Sequence, residues 1–116
     1  MSHTADCLFC KIASGDIPSK KVYEDEVVIV FNDIAPAAPC HLLAIPREHI
    51  PSAAALGEPH AAMLGRLFSV IAALAAKLGL DDGFRIVTNV GEAAGQSVPH
   101  LHFHLLAGRA LSWPPG

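Results

Sequence analysis

The sequence predicts an α+β domain: a five-stranded antiparallel sheet with one long helix and a short N-terminal helix. Three observations carry this. Five short strand-like runs, at 21–24, 27–31, 41–45, 84–88 and 100–106, are rich in Val, Ile, Phe and Leu. One segment alone, opening at Glu58-Pro59, keeps apolar residues at helical spacing over several turns. The links between four of the strands are short, which suits antiparallel neighbours with the helix laid over one face.

The elements follow in chain order. Cys7 to Ala13 forms a short helix, ended by Ser14-Gly15 and released by Pro18. Lys21 to Glu24 and Val27 to Phe31 are strands joined at Asp25-Glu26, and the second is apolar throughout, as an interior strand should be. Asn32 to Pro39 is a loop, since its two prolines exclude regular structure. His41 to Ile45 is the third strand, stopped by Pro46, and 47–57 is irregular. In the long helix, proline lies near the permitted first position and Gly79 just past the end. Met63, Leu67, Val70, Ile71, Leu74 and Leu78 make its apolar stripe, leaving Arg66 and Lys77 to water. Phe84 to Thr88 is the fourth strand, Asn89 to Ser97 a glycine-containing loop, and His100 to Leu106 the fifth strand. From about residue 108 the chain is an extended, proline-rich tail ending Trp113-Pro114-Pro115-Gly116. A tryptophan on such a tail implies that it docks on something, a second copy of the chain being one candidate.

Length and charge narrow the function classes. The 116 residues suit a single domain, 1–116, with a real core. A formal charge of −3 without a basic run argues against a nucleic-acid partner. The longest uncharged apolar run of the helix, Leu67 to Ala76, is about half of the ~20 residues that a membrane span needs, so no membrane is expected. Residues 1–6 lack an apolar signal-peptide core, which makes a cytoplasmic location the default. Three cysteines, an odd number, do not read as a disulfide framework. Cys40 reads as a small buried apolar residue.

The chemistry concentrates in Gln96-Ser97-Val98-Pro99-His100-Leu101-His102-Phe103-His104-Leu105-Leu106. With a strand's period of two, His100, His102 and His104 share one face, roughly 6.6 Å apart, while Leu101, Phe103 and Leu105 anchor the other. Three imidazoles at this spacing also suit a metal site. The preceding loop, with Gly91, Gly95 and the hydroxyl of Ser97, tips the reading towards an anion, hence phosphate. A neutral imidazole with one nitrogen held by a hydrogen bond presents the other as a nucleophile. His102, in the middle, is the natural choice because donors flank it on both sides. His3 and His60 read as solvent-facing. Cys7 and Cys10 have the spacing of a zinc knuckle, which needs two further ligands; His49 and His100 are the best placed, and two packed thiols are the alternative. A redox pair would want a βαβ unit beside it.

The run His100-Leu101-His102-Phe103-His104-Leu105-Leu106 resembles the signature of the histidine triad (HIT) superfamily. Phe31-Asn32-Asp33-Ile34, Ala38-Pro39-Cys40-His41, Ile45-Pro46-Arg47-Glu48-His49-Ile50, Gly95-Gln96-Ser97-Val98 and the Trp-Pro-Pro-Gly ending resemble its nucleotide-binding protein branch, so that the likeness spans nearly the whole chain. The resemblance implies a homodimer that hydrolyses purine nucleoside phosphoramidates, such as adenosine monophosphoramidate, through a nucleotidyl-histidine. It makes His102 the nucleophile. It wraps Gly95, Gln96 and Ser97 around the α-phosphate, with Ser97 near the leaving group. His104 contacts phosphate and His41 supports the catalytic strand. Asp33 holds the ribose hydroxyls, Ile34 lines the base pocket and Asn89 meets the ribose–phosphate end. The nucleotides expected are AMP or GMP conjugates.

In members carrying an N-terminal C-x-x-C, the resemblance implies a structural zinc on Cys7, Cys10, His49 and His100, with no metal needed for the chemistry. His100 is then positional. In this branch the tail reaches the neighbouring subunit's site. Two other functions stay open on the same residues: hydrolysis of dinucleoside polyphosphates, and a nucleotide-binding interaction module whose hydrolysis is incidental.

Overall fold

A computed structural model describes residues 6–116, and His3 lies outside them. The elements run α1 (Leu8–Ser14), β1 (Lys21–Glu24), β2 (Val28–Asn32), β3 (Cys40–Pro46), α2 (Ala61–Lys77), β4 (Phe84–Val87) and β5 (Phe103–Ala107). Single 3₁₀ turns occupy Ala53–Ala55, Glu58–His60 and Glu92–Ala94. The five strands form one antiparallel sheet in the order β1-β2-β3-β5-β4. This is the α+β architecture that the strand runs and the single helical stripe predict.

Strand alternation gives the sheet two apolar faces. Val28 and Val30 of β2, Leu42 and Ala44 of β3, and Leu101, Phe103 and Leu105 meet Leu67, Val70, Ile71 and Leu74 of α2. The intervening residues, Ile29, Phe31, Leu43 and Ile45, meet Phe9, Ile12 and Ala13 of α1. His100, His102 and His104 alternate with the first set and so belong to the α1 face. In the register, His41 is opposite Leu106 and Leu43 is opposite His104. His41 and His104 are therefore diagonal neighbours on that same face.

Several boundaries differ from the sequence reading. Only His104 of the three histidines is in the paired strand; His100 and His102 precede β5. Their stretch is held by the loop after β3, where the Leu101 N–H donates to the Ile50 carbonyl at 2.6 Å. Pro46 does not stop β3 but is its last residue, opposite Val28, because its position needs a carbonyl and not an N–H. Leu78 lies past the end of α2 and is exposed, outside the stripe. Cys40 is half-buried, not buried, and its desolvation raises the thiol pKa. His60 is half-buried too, and its Nδ1 accepts the Gly57 N–H at 2.9 Å.

By length and composition Glu58–Lys77 could cross a membrane, with 20 residues and a mean hydropathy of 1.4. Here its apolar stripe covers the sheet, and Arg66 reaches back to the β1–β2 turn.

That turn is stapled by Asp25. Its Oδ1 accepts the N–H groups of Val27 and Val28 at 2.7 and 2.8 Å. Its Oδ2 accepts the Tyr23 hydroxyl at 2.6 Å and Arg66 Nε at 2.9 Å. Burial pushes this carboxyl up, but the hydrogen bonds outweigh it and hold the pKa at about 2 instead of 3.8. Arg47 adds a tie between the turn and α1, donating from Nε to the Asp25 carbonyl at 2.6 Å and from Nη1 to the Ala13 carbonyl at 2.7 Å.

The folded carboxylate is the more acidic, so its contribution is complete above about pH 4 and is lost as pH falls towards 2. Replacing Asp25 with Ala should cost on the order of 1–3 kcal/mol at neutral pH. Between pH 4 and 2, urea titrations should show the stability gap between wild type and variant closing; a gap independent of pH over that range would contradict the assignment.

Candidate active site

Partners decide which ring nitrogen of each histidine carries its proton, because a carbonyl only accepts and a backbone N–H only donates. His102 Nδ1 lies 2.6 Å from the His100 carbonyl, so Nδ1–H donates there. In the neutral ring, the His102 Nε2 then keeps its lone pair. His41 Nδ1 accepts the Ala37 N–H at 3.0 Å, which puts the proton of neutral His41 on Nε2. That Nε2–H points at His104 Nδ1, 2.9 Å away, with Asp33 Oδ2 at 3.4 Å. His104 accepts on Nδ1, so its own proton sits on Nε2. The site thus pairs a lone-pair nitrogen on His102 with an N–H donor on His104, their ring centroids 5.1 Å apart.

Burial first, then the neighbouring His102 and His41, lowers the His104 pKa below its ordinary 6.5; the Asp33 carboxylate acts in the opposite direction. A neutral His104 at physiological pH is consistent with the donor–acceptor chain from Ala37.

His102 and His104 line a cleft of about 380 Å³, within the range of small-molecule sites. Its apolar wall comes from α1 and the segment after it, through Leu8, Phe9, Ile12 and Ile17, facing Phe31 and Leu43 of the sheet. Asp33, Ile34, Ser97 and Val98 also line the cleft. Ile34 is fully exposed, so its side chain is available to whatever enters. Phe9 meets the His102 ring edge-on, centroids 5.0 Å apart and planes at 87°. Such an arrangement suits a planar apolar ligand group with a polar end at the histidines.

Not every residue singled out in the sequence lines this cleft. Asn89, Gly95 and Gln96 are absent from its wall. Gln96 is instead a loop staple: its Oε1 accepts the Gly91 N–H at 2.9 Å, and its Nε2 donates to the Pro51 and Val98 carbonyls. The N–H groups of Gly95 and Gln96 close the loop's own turn on the Glu92 and Gly91 carbonyls. These two residues shape the loop that presents Ser97. His41 is behind the wall and acts on it through His104. The residues missed in the sequence are the apolar ones, Leu8, Phe9, Ile12, Phe31 and Leu43. The first three form one helical face, a signal present in the chain but read only as a helix.

A second constellation lies behind the first. One donor atom from each of Cys7, Cys10, His49 and His100 falls within 4.8 Å of all the others, and only His49 of the four is not fully buried. His100 Nδ1 is 3.2 Å from Cys7 Sγ and 3.5 Å from Cys10 Sγ, and His49 Nδ1 is 3.3 Å from Cys10 Sγ. His100 Nε2 lies 2.9 Å from the Pro46 carbonyl, so the proton is there and the Nδ1 lone pair faces the thiols. Two sulfurs and two imidazoles with an outer carbonyl fixing one tautomer match a tetrahedral metal centre. Asp33, His41 and His104 also converge, but the Ala37 N–H fixes a proton on His41 Nε2, between the would-be ligands. The first cluster suits a cation, and the second is a hydrogen-bond relay.

A profile of the HIT domain matches residues 14–111. The chain belongs to the HIT domain family. A 14 kDa zinc-binding protein of Brassica juncea is 47% identical over 113 residues, covering 96% of this chain and all of that one. The structure of a HIT family hydrolase from Legionella pneumophila superposes with a TM-score of 0.94 at 45% identity, covering 96% of this chain and 100% of that chain. A histidine triad nucleotide-binding protein from Candida albicans superposes with a TM-score of 0.80 at 34% identity, covering 94% and 83%.

Within this HIT domain the Asp33 carboxylate opposes the burial that lowers the His104 pKa. Removing the negative charge by Asp33→Asn should lower the His104 midpoint further, since Asp33 is the one neighbour that raises it. Titration followed by the imidazole proton resonances reads this directly; an upward shift would show that the relay is wired differently.

Proposed function

We propose that the protein hydrolyses purine nucleoside phosphoramidates, of which adenosine 5′-monophosphoramidate is the simplest. The observation that carries this is the His102 Nδ1–H bond to the His100 carbonyl at 2.6 Å, which in the neutral ring leaves the lone pair on Nε2 of a residue that lines the cleft. The hydrolase and nucleotide-binding names of the related structures support the same class.

In this reading the base enters the apolar wall formed by Leu8, Phe9, Ile12 and Ile34, and Asp33 takes the ribose hydroxyls. The Nε2 lone pair of His102 attacks the α-phosphorus while the P–N bond to the amine breaks. The amine leaves with that electron pair and a proton that solvent supplies and the Ser97 hydroxyl relays, and the water of the second step returns a proton to solvent. His104 Nε2–H donates to a non-bridging oxygen, and His41 holds His104 in that tautomer. Water then cleaves the nucleotidyl-His102 to the nucleoside monophosphate and frees the imidazole. Gly95 and Gln96 serve by shaping the phosphate-side loop, and Asn89 meets the ribose–phosphate end.

Cys7, Cys10, His49 and His100 are the residues that would hold zinc, which in this donor set supplies structural cross-linking and no step of the reaction. The zinc-binding name of the Brassica juncea relative supports the choice of metal.

The working unit we propose is a cytoplasmic homodimer. Its support is an exposed stripe of small and apolar residues on α2, Ala61, Gly65, Phe68, Ala72 and Ala76, together with the edge strand β4 and its exposed Phe84. Trp113, 81% exposed on the tail, has the surface to cap a partner's cleft.

Turnover of an AMP–amine conjugate should exceed that of a diadenosine polyphosphate under identical conditions; the reverse order would move the protein to the dinucleoside polyphosphate class. His102→Asn should abolish turnover while AMP affinity stays within about threefold, since the pocket is retained. Full activity in that variant would end the covalent mechanism. Phe68→Asp should shift the sedimentation coefficient from dimer to monomer. Elemental analysis should find about one zinc per chain.

A further inference from the structure

The metal cluster and the nucleophile are joined by more than proximity. His100 supplies both: its ring lies against Cys7 and Cys10, fully buried, and its carbonyl takes the His102 Nδ1–H. Phe9 makes a second link. It sits in α1 between the two cysteines, with its ring edge-on to His100 at 6.0 Å and to His102 at 5.0 Å. A third link is α1 itself, which carries Cys10 within it and Cys7 as its N-cap, and whose Leu8, Phe9 and Ile12 line the cleft.

A helix of seven residues does not stand alone in water, and α1 is only that long. Its C-terminal end is held independently, by the Gly15 cap and by Arg47 on the Ala13 carbonyl. At the N-terminal end, the polar ties are those of Cys7 and Cys10: the N-cap bond to the Cys10 N–H and the contacts to His49 and His100. The cleft wall and the nucleophile's hydrogen-bond acceptor thus both adjoin the four-residue cluster, the wall through α1 and the acceptor through His100, in addition to the sheet packing of Phe9 and Ile12 and the Pro46 bond to His100.

We propose that metal loading of Cys7, Cys10, His49 and His100 controls the nucleotide site, with His100 and Phe9 as positioning residues for His102. With the cluster loaded, the His100 carbonyl holds the His102 ring in one orientation and Phe9 closes on its face. With the cluster emptied, the first turn of α1 loosens, the wall opens and His102 loses its fixed orientation. The rest of the sheet stays folded, because the α2-side core shares no residue with the cluster. This rests on the nucleotide reading given above and adds a regulator to it.

The test compares zinc-loaded protein, the same protein after chelation, and Cys10→Ser. Nitrogen-15 spectra of the histidines report which His102 nitrogen carries the proton, and calorimetry reports AMP affinity. In the loaded form His102 should show a single species protonated at Nδ1. After chelation and in Cys10→Ser, that signature should broaden into a mixture and AMP affinity should fall about tenfold, a loss of about 1.4 kcal/mol. Meanwhile the β-sheet amides keep their exchange protection. An unchanged His102 signature and unchanged AMP affinity in both metal-poor forms would overturn the proposal, as would global unfolding on chelation. Failure of the loaded protein to bind AMP would sink the nucleotide reading instead, and the His102 signature would still decide the control by metal.

Discussion

The His102 Nδ1–H to His100 carbonyl bond, 2.6 Å long, constrains the chemistry because it decides which end of the ring faces the cleft. A carbonyl oxygen accepts and does not donate, so no other neutral tautomer satisfies it. Its precision depends in turn on His100 being immobile. That residue is fully buried, its ring bonded to the Pro46 carbonyl on one side and set against the cysteine sulfurs on the other. The His102 Nε2 is therefore placed by backbone and by a neighbouring residue whose side chain does not line the cleft.

Two clusters of metal-competent side chains, within one small fold, take opposite roles through a single hydrogen bond each. At Cys7, Cys10, His49 and His100, the Pro46 carbonyl draws the proton to the outer nitrogen and leaves a lone pair inside. At Asp33, His41 and His104, the Ala37 N–H draws the lone pair outward and leaves a proton inside. Each cluster contains two imidazoles, and the backbone partner decides which nitrogen of the inner ring carries the proton.

The sheet makes this economy possible. Because alternate residues face opposite ways, the α2 side is closed with aliphatic and aromatic packing while the α1 side carries polar chemistry over an apolar floor of Phe31 and Leu43. Inserting β5 between β3 and β4 brings His104 beside His41, 63 residues away in sequence. The short helix α1 then completes the cleft and supplies the two sulfurs from one turn. A helix too short for independent stability becomes a wall only where the rest of the fold holds it.

Local periodicity was enough to determine much of this protein. The strand runs, the apolar stripe of α2 and the alternation around His102 are properties of neighbouring residues, and side-chain period follows from backbone geometry alone. The Cys7–Cys10 pair and the triad histidines were likewise visible as residue types at fixed spacing. The tertiary structure decided what spacing does not encode. It ended the paired part of β5 at Phe103, because Leu101 bonds to the Ile50 carbonyl instead of a strand partner. It turned Gln96 inward as a staple and made Leu8, Phe9 and Ile12 a cleft wall. Above all it chose the tautomers of His41, His100 and His102, since each depends on a backbone group supplied by the folded chain: Ala37, Pro46 and His100. A proton's position on imidazole is set by what touches the ring, and contacts between distant segments exist only once the chain has folded.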